Sequence, residues 1–284
     1  MKGGFFTRNL YKSSEDGNTI ADFEGKELFS EAEKKQMKET LLQTQNELQK
    51  RGIDFYLFIA PNKESIYYED VPSVYKHAKF SRTDLLVQYF QNNEINVVYP
   101  KAELDGMKKG QYPLYFYYDT HWNQIGAYIG TNSLLSYMGL PISTLSNDDL
   151  FSKSLTGNYH IGANDDLAKI IGLRKTVFND ENEYSIKGTQ KIDWNLYEKE
   201  QESTEECTVL LNDNAKNKKT VLLVGDSFRS AMLPLLSEEF SKVCVCHRDN
   251  YREEYLSEYK PDYFIAEYVE RYSSDIVTDA VTCL

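Results

Sequence analysis

Short apolar runs separated by polar, helix-forming stretches constrain the fold of this 284-residue chain more than any other feature. Runs bounded by turn residues are typical of strands that are buried on both faces of a parallel sheet. They lie at residues 53–60, 95–99, 221–224, 243–247 and 263–267. Parallel strands need crossover helices, which cover both faces, so we predict an α/β three-layer sandwich with a mostly parallel central sheet of about five strands.

Three stretches rich in helix formers lie between these runs. They span residues 31–50, 82–92 and 124–138. The first follows Ser30 and has Glu33 near its start, which is the pattern of a capping box. Residues 141–220 are polar and irregular, with weak strand or helix signals. We therefore predict a single domain over 1–284, with an irregular insertion at about 141–220.

Charge and cysteine content narrow the possible function classes. With a net charge of −12 the chain lacks the positive surface that nucleic acids need, so we expect no nucleic-acid partner. No apolar run reaches the roughly 18 residues of a membrane-spanning helix. No cysteine spacing fits a metal site, which favours buried free thiols over a disulfide, and we expect neither metal nor cofactor. The cysteines are Cys207, Cys244, Cys246 and Cys283.

The sharpest motif is a strand that runs into Gly225-Asp226-Ser227 and then into a predicted helix. This order places the Ser227 hydroxyl at the carboxyl end of the sheet, where open α/β folds bind ligands. A helix N-terminus favours negative charge, so Ser227 is a candidate nucleophile whose own N–H meets the oxyanion. Gly225 allows the tight turn, and Asp226 is expected to bind nearby backbone N–H groups. The alternative is an ordinary strand-to-helix turn capped by Ser or Asp.

A second motif, YDTHWN at residues 118–123, supplies a candidate base. A serine nucleophile needs a base whose pKa lies near neutrality, and His121 has that property. Asp119 is placed to fix the imidazole tautomer and to stabilise its charged form. The alternative is a capped helix start with a packed His and Trp. Together the motifs provide a nucleophile, a base and an orienting carboxylate, each at the end of an element.

These paired motifs resemble the SGNH hydrolase-like family of the alginate O-acetyltransferase type, which includes AlgJ-like, AlgX-like and DHHW-like proteins. GDSF at 225–228 is similar to the first signature block of SGNH enzymes, and DTHW at 119–122 is similar to the DHHW signature. The order is permuted, because Asp-x-His lies about a hundred residues before the serine. Further stretches that agree with the family lie at 50–72, 165–174 and 260–272.

The resemblance implies Ser227 as nucleophile, His121 as general base and Asp119 as its orienting carboxylate. It also implies a functional arginine after the strand that follows the serine, and Arg248 is the match at that place. Such an arginine would provide a cation near the oxyanion or the substrate, whereas a plain surface arginine is the alternative.

Three more residues are candidates for contact with substrate or oxyanion. Asn62 and Lys63 follow a strand and should face the same rim, although a turn role is the alternative. Trp122 supports the motif without a catalytic role of its own. Residues 162–165 (GAND) match the third SGNH block, but a polar stretch precedes them where that block normally follows a buried strand, so we interpret them as a chance match.

The resemblance implies an O-acetyltransferase that acts on a cell-surface or secreted polysaccharide through an acetyl-serine intermediate. One alternative is a carbohydrate acetylesterase, in which water accepts the acetyl group. Another is a non-catalytic polysaccharide-binding or assembly protein on the same scaffold, which the 22 tyrosines would suit. The resemblance also implies a membrane-bound O-acyltransferase as acetyl source. It further implies an extracytoplasmic location, at the cell surface or through a membrane anchor that this chain lacks.

Overall fold

Two hydrophobic cores lie on opposite faces of one sheet in the computed structural model of the chain. Phe55 and Leu57 of the first strand belong to one core, and Phe58 and Ala60 belong to the other. This division follows from the alternating direction of side chains along a strand, and it makes three layers. The structure describes residues 19–142, 150–154, 166–167, 182–186, 207–279 and 281–282.

The described strands form a large mixed sheet and a small antiparallel pair. In chain order they are β1 (Asp54–Ala60), β2 (Val97–Val98), β3 (Leu150–Ser154), β4 (Asn182–Ile186), β5 (Thr208–Leu211), β6 (Asn217–Gly225), β7 (Phe240–His247) and β8 (Tyr263–Val269). The large sheet has the order β2-β1-β8-β6-β7-β5, in which only the edge strand β5 runs antiparallel to its neighbour. Strands β3 and β4 pair with each other. The mostly parallel sandwich expected from the sequence is confirmed, with β5 as a sixth strand.

Helices pack on both faces of this sheet. In chain order they are α1 (Thr19–Phe23), α2 (Glu31–Lys50), α3 (Lys63–Ile66), α4 (Arg82–Gln91), α5 (Lys101–Met107), α6 (Gln124–Tyr137), α7 (Leu233–Glu239) and α8 (Glu254–Tyr259). Leu41 of α2 and Leu86 of α4 are buried in one core, and Leu134 of α6 and Leu236 of α7 in the other. The base-bearing and serine-bearing segments therefore adjoin the same layer.

The predicted capping box at the start of α2 is confirmed. The Ser30 hydroxyl accepts the backbone N–H of Glu33 at 3.2 Å, and the Glu33 carboxylate accepts the N–H of Ser30 at 2.7 Å. These bonds satisfy two N–H groups that a helix otherwise leaves without partners.

The segment after Ser227 differs from the continuous helix expected from the sequence. Ser227–Met232 forms a 3₁₀ turn, and α7 begins only at Leu233. Pro234 explains the interruption, because in an uninterrupted α-helix its ring would clash with the carbonyl group of Ser230. In the first turn of α7 the same proline is tolerated.

The predicted insertion at about 141–220 lies mostly outside the described residues, and it stays a prediction together with the domain boundary. Within that range, β5 and the first residues of β6 belong to the main sheet. Of the helices that the structure describes, none combines the length and the apolar character needed to cross a bilayer.

The cysteines were expected to be buried free thiols. Cys207, Cys244 and Cys246 are buried and free, which confirms the prediction for these three. Cys283 lies outside the described residues.

Candidate active site

The turn after β6 presents Ser227 to solvent between buried neighbours on both sides. Asp226 holds this turn, because its Oδ1 accepts the N–H of Phe228 at 2.9 Å. Its Oδ2 accepts the N–H of Val269 at 2.6 Å, which ties the turn to the end of β8. The expected bracing role of Asp226 is confirmed, and it reaches a neighbouring strand as well as the turn itself.

Gly225 is required by the close approach of β8. A Cβ atom at Gly225 would lie 2.4 Å from Oε2, 2.7 Å from Cβ and 2.9 Å from the backbone O of Glu267. These distances are shorter than real Cβ contacts, and two of the three atoms cannot move away with a flexible chain end. The small residue therefore lets the serine turn sit directly against β8.

The base lies on a tight loop that precedes α6. Tyr115 pairs with Trp122 as an isolated antiparallel bridge, and the N–H of Phe116 donates to the carbonyl of His121 at 3.2 Å. Asn123 then caps α6, because its side-chain oxygen accepts the N–H groups of Ile125 and Gly126 at 2.9 and 3.2 Å. The loop is thus closed by backbone pairing on one side of His121 and fixed by a helix cap on the other.

The imidazole of His121 connects the two motifs. Its Nε2 lies 2.6 Å from Ser227 Oγ, and its Nδ1 lies 2.6 Å from Asp119 Oδ1. The same carboxylate oxygen accepts the backbone N–H of His121 at 2.8 Å. Two residues 106 positions apart in the chain therefore meet within hydrogen-bond distance at the rim of the sheet. This is the geometry of a Ser-His-Asp triad.

The electrostatics of the triad favour a proton on His121. Burial by itself lowers the pKa of His121, but attraction to Asp119 and the hydrogen bond with it outweigh burial and raise that pKa. For Asp119, burial alone would raise the pKa, but the adjacent imidazole lowers it. Asp119 is therefore an ionised partner that stabilises the imidazolium form of the base.

Aromatic packing holds the base against the serine turn. The Trp122 indole N–H donates to the carbonyl of Phe228 at 3.1 Å, and the two rings lie 5.4 Å apart. The His121 ring lies 4.8 Å from the Phe228 ring. Trp122 is 1% exposed, so it joins the two halves of the site from inside the core and leaves substrate contact to other groups.

Lys63 binds the backbone of the loop that carries Asp119 and His121. Its ammonium group donates to the carbonyl oxygens of Phe116, Tyr117 and Asp119 at 2.8, 3.0 and 3.1 Å. The side chain is buried at 2% exposure. Charge-assisted bonds to three carbonyls in one short loop fix the backbone on which Asp119 and His121 stand.

Asp166 contacts the same loop from a distant part of the chain. Its carboxylate accepts the N–H of Thr120 at 2.8 Å and also the Thr120 hydroxyl. The next residue, Leu167, donates its N–H to the carbonyl of Tyr118 at 3.1 Å. No sequence motif identified Asp166 as a site residue, although it lies in the 165–174 stretch that resembles the family.

Comparison with known families gives the site its context. Residues 21–245 match the family model described as SGNH hydrolase-like domain, acetyltransferase AlgX. The chain belongs to this family. As a member of the AlgX acetyltransferase family it is an enzyme of the acyltransferase or esterase class. A search of curated proteins finds no match.

Solved structures share the fold of this AlgX-family chain. PatB1 of Bacillus cereus with a sulfonyl adduct has a TM-score of 0.59 at 16% identity, covering 87% of this chain and 93% of that one. A DHHW family protein of Eubacterium siraeum has a TM-score of 0.58 at 14% identity, covering 85% and 88%. The O-acetyltransferase domain of Pseudomonas putida AlgJ has a TM-score of 0.52 at 16% identity, covering 89% and 88%.

Arg271, which the sequence did not indicate, lies near the base of this AlgX-family site. Arg248 forms ion pairs with Asp275 at 2.8 Å and Asp279 at 3.4 Å, so its charge is engaged by the C-terminal segment. Arg271, just after β8, places its guanidinium 5.4 Å from the Phe228 ring and lowers the pKa of His121. The resemblance pointed to Arg248, whose expected role stays a prediction, and the fold shows that Arg271 also lies close to the base.

Asn62 connects to the same segment as Arg271. Its side-chain oxygen accepts Nη1 of Arg271 at 3.3 Å, and its backbone N–H donates to the Glu270 carboxylate at 2.8 Å. Asn62 is 3% exposed, which fits a positioning contact to Arg271 better than direct contact with a polymer.

In the described part of this AlgX-family chain, one group of side chains of types that can bind a metal lies close together, namely Asp119, His121 and Asp166. Both imidazole nitrogens of His121 are already engaged, one by Asp119 and the other by Ser227. A metal ion at Nδ1 would have to displace the proton that binds Asp119. The donor set therefore fits the triad better, and the expectation that no metal is used stays a prediction. The GAND match at 162–165 lies outside the described residues.

Proposed function

We propose that this chain is a serine O-acetyltransferase that acetylates a cell-surface or secreted polysaccharide through an acetyl-serine intermediate. The observation that carries the proposal is the bridging position of His121, 2.6 Å from both Ser227 Oγ and Asp119 Oδ1. A hydroxyl in this arrangement is activated by the adjacent base, whose tautomer is fixed by the carboxylate.

In the first half-reaction, His121 Nε2 removes the proton of the Ser227 hydroxyl while Oγ attacks the acetyl carbonyl carbon of the donor. The tetrahedral intermediate collapses, the donor's leaving oxygen takes the proton from His121, and acetyl-Ser227 remains. In the second half-reaction, His121 removes the proton of a sugar hydroxyl, which attacks the acetyl group. Ser227 is released and recovers its proton from His121.

In this proposal two groups stabilise the oxyanion. The N–H of Phe228 is engaged by Asp226, which leaves the N–H of Ser227 as the backbone donor at the tip of the turn. Arg271 adds a positive charge beside the Phe228 ring, and its charge acts on His121 across the same space. Burial lowers the pKa of Arg271, but the surrounding acids, Asp226 first, outweigh burial and keep it charged.

The choice of a polysaccharide acceptor is supported by membership in the AlgX acetyltransferase family. The acetyl donor in this proposal is supplied by a membrane-bound O-acyltransferase, and the enzyme works outside the cytoplasmic membrane. The acetyl source and the location both rest on the family resemblance of the sequence motifs. A location outside the membrane also fits the proposed acceptor, which is a cell-surface or secreted polymer.

The test measures acetyl transfer from an activated acetyl ester to added oligosaccharides, beside acetate release to water. We expect transfer by the parent protein and a loss of about a thousandfold or more in Ser227→Ala. Ser241→Ala is the matched control, because Ser241 lies on β7 and its hydroxyl donates only to the carbonyl of Lys219, at 3.3 Å, among the bonds described.

Three results would contradict the proposal in different ways. Acetate release without transfer to any oligosaccharide would indicate a carbohydrate acetylesterase. Transfer retained in Ser227→Ala would exclude Ser227 as the nucleophile. A parent protein that binds polysaccharide and turns over no ester would indicate the non-catalytic binding or assembly protein.

A further inference from the structure

A second carboxylate stands beside the base of the triad. Oδ2 of Asp166 lies 3.9 Å from Nδ1 of His121, the nitrogen that Asp119 contacts at 2.6 Å. The backbone N–H of Asp166 also points to Asp119 Oδ2, at 3.5 Å. The side chain of Asp166 is 28% exposed, so water screens its charge only partly. It lies beside the buried Asp119.

Asp166 also completes the attachment of the loop. Lys63 binds three carbonyl groups of residues 116–119, and Leu167 binds the carbonyl of Tyr118. Asp166 takes both polar groups of Thr120, the residue between Asp119 and His121. The segment at 166–167 therefore fixes the backbone between the two residues whose relative position decides how the base works.

We propose that Asp166 is a positioning residue of the triad, which fixes the Asp119–His121 loop through Thr120 and adds a second negative charge to the base. This inference deepens the proposed function and rests on it in one respect, namely that His121 is the base. Asp166 itself contacts neither the serine nor the reacting atoms.

The charges that face His121 determine what removal of Asp166 should do. Asp119 and Asp166 raise the pKa of His121, whereas burial and the charge of Arg271 lower it, and the ammonium of Lys63 binds the nearby Asp119 carbonyl. The pKa of Asp166 is itself raised, by burial first and then by repulsion from Asp119. Loss of the Asp166 charge should therefore lower the pKa of His121.

The base accepts a proton only in its neutral form, so activity is lost as pH falls through the pKa of His121. In Asp166→Asn the acid limb of kcat/KM should move to lower pH. At the plateau, kcat should fall by about tenfold to a hundredfold with KM unchanged, because the imidazolium is less stabilised in the transition state. An Asn side chain retains an oxygen for the N–H of Thr120, so the variant removes mainly the charge.

Thr120→Val is the matched control, since it removes one hydrogen bond to Asp166 and keeps both carboxylates. It should move the acid limb less than Asp166→Asn does. Asp166→Glu should restore most of the parent pKa, because it returns the charge with a longer reach. Should Asp166→Asn fail to fold, which near-ultraviolet circular dichroism reports, Asp166→Ser is the neutral variant to use.

The measurement is an NMR titration of the histidine ring signals, with His121 assigned by its absence in His121→Gln. This readout does not need turnover, so its outcome is separate from that of the Ser227→Ala test. A lower His121 pKa in Asp166→Asn and a smaller change in Thr120→Val support the inference. An unchanged His121 pKa in a folded Asp166→Asn variant, or an equal shift in both variants, overturns it.

Discussion

At the scale of single residues, Glu267 is the least conventional group near the nucleophile. It is fully buried on β8 against Gly225, and neither of its carboxyl oxygens has a hydrogen-bond partner among the described residues. Burial, followed by repulsion from Asp226, raises the pKa of Glu267 well above its ordinary value. The raised pKa favours the neutral acid form of Glu267, which avoids a second negative charge close to Asp226 and the serine turn.

Glu267→Gln should stabilise the protein increasingly as pH rises. The parent must take up a proton at Glu267 on folding above the ordinary glutamate range, so its stability falls with pH until the folded-state pKa is reached. Gln carries no such proton, and we expect a gain on the order of 1–3 kcal/mol at pH 8 that shrinks toward pH 4.

Urea unfolding of both proteins from pH 4 to pH 9 measures this difference, and effects of other titrating acids cancel in it. Glu254→Gln is the control, since Glu254 is exposed at the start of α8. A constant difference across the pH range would contradict a neutral Glu267.

Gly225→Ala should cost stability and activity together. Its Cβ would overlap the backbone and Cβ of Glu267, so β8 or the serine turn must shift, at a cost of about 1–3 kcal/mol. Gly106→Ala in α5 is the control, because nothing lies within 4 Å of the added Cβ and Ala favours a helix. Denaturation midpoints and kcat for both variants check this, and equal stability of the two would contradict the close approach.

The site residues with local signals were predictable from the sequence. Ser227, His121 and Asp119 stand in short motifs at element ends, and Asp226 performs the turn function expected of an aspartate there. Asp166 was not predictable in this way, because its partner Thr120 is 46 residues away in the chain and no spacing rule joins them.

At the scale of elements, the start of α6 matters more for activity than the start of α2. Asn123 is fully buried, its oxygen caps α6, and its amide group donates to the carbonyl of Pro113 at 2.8 Å. It lies two residues after His121, so this cap also fixes the point at which the loop carrying Asp119 and His121 joins α6. Ser30 caps α2 in an exposed position outside that loop.

Asn123→Ala should therefore lower both stability and kcat, whereas Ser30→Ala should lower stability alone. We expect losses of about 2 kcal/mol or more for the buried cap and about 1 kcal/mol for the exposed cap. Unfolding free energies and kcat of the two variants provide the measurement. An equal fall of kcat in both would show that the cap of α6 has no special role in placing the base.

Elements with a strong pattern were predicted well, and those governed by tertiary contacts were not. The continuous apolar run of β1 and the capping box of α2 identify both elements from local chemistry alone. Strand β5 was missed because it is a short edge strand whose burial varies along its length. The 3₁₀ turn after Ser227 follows from Pro234, which interrupts a helix in the residues before it. The predicted continuous helix did not take this proline into account.

At the scale of the whole molecule, the order of strands brings the two halves of the site together. Strand β6, which ends at the serine turn, lies between β8 and β7, and β8 pairs with β1, which is followed by Lys63, the residue that binds the loop carrying Asp119 and His121. The two motifs, 106 residues apart along the chain, therefore meet because of the order of the strands in the sheet. The sequence alone does not show that the strands carrying the two halves of the site are neighbours. The family resemblance implied this, and the observed sheet order shows it.

The most direct test of Ser227 as nucleophile is to trap the acetyl-serine intermediate. The protein is incubated with an activated acetyl ester, quenched in acid, and mapped by tandem mass spectrometry, beside His121→Ala and Ser227→Ala. We expect one acetyl group on Ser227 in the parent and none in either variant, as a triad with Ser227 as nucleophile requires. An acetyl group on another residue, or turnover of the ester with Ser227 never modified, would contradict it.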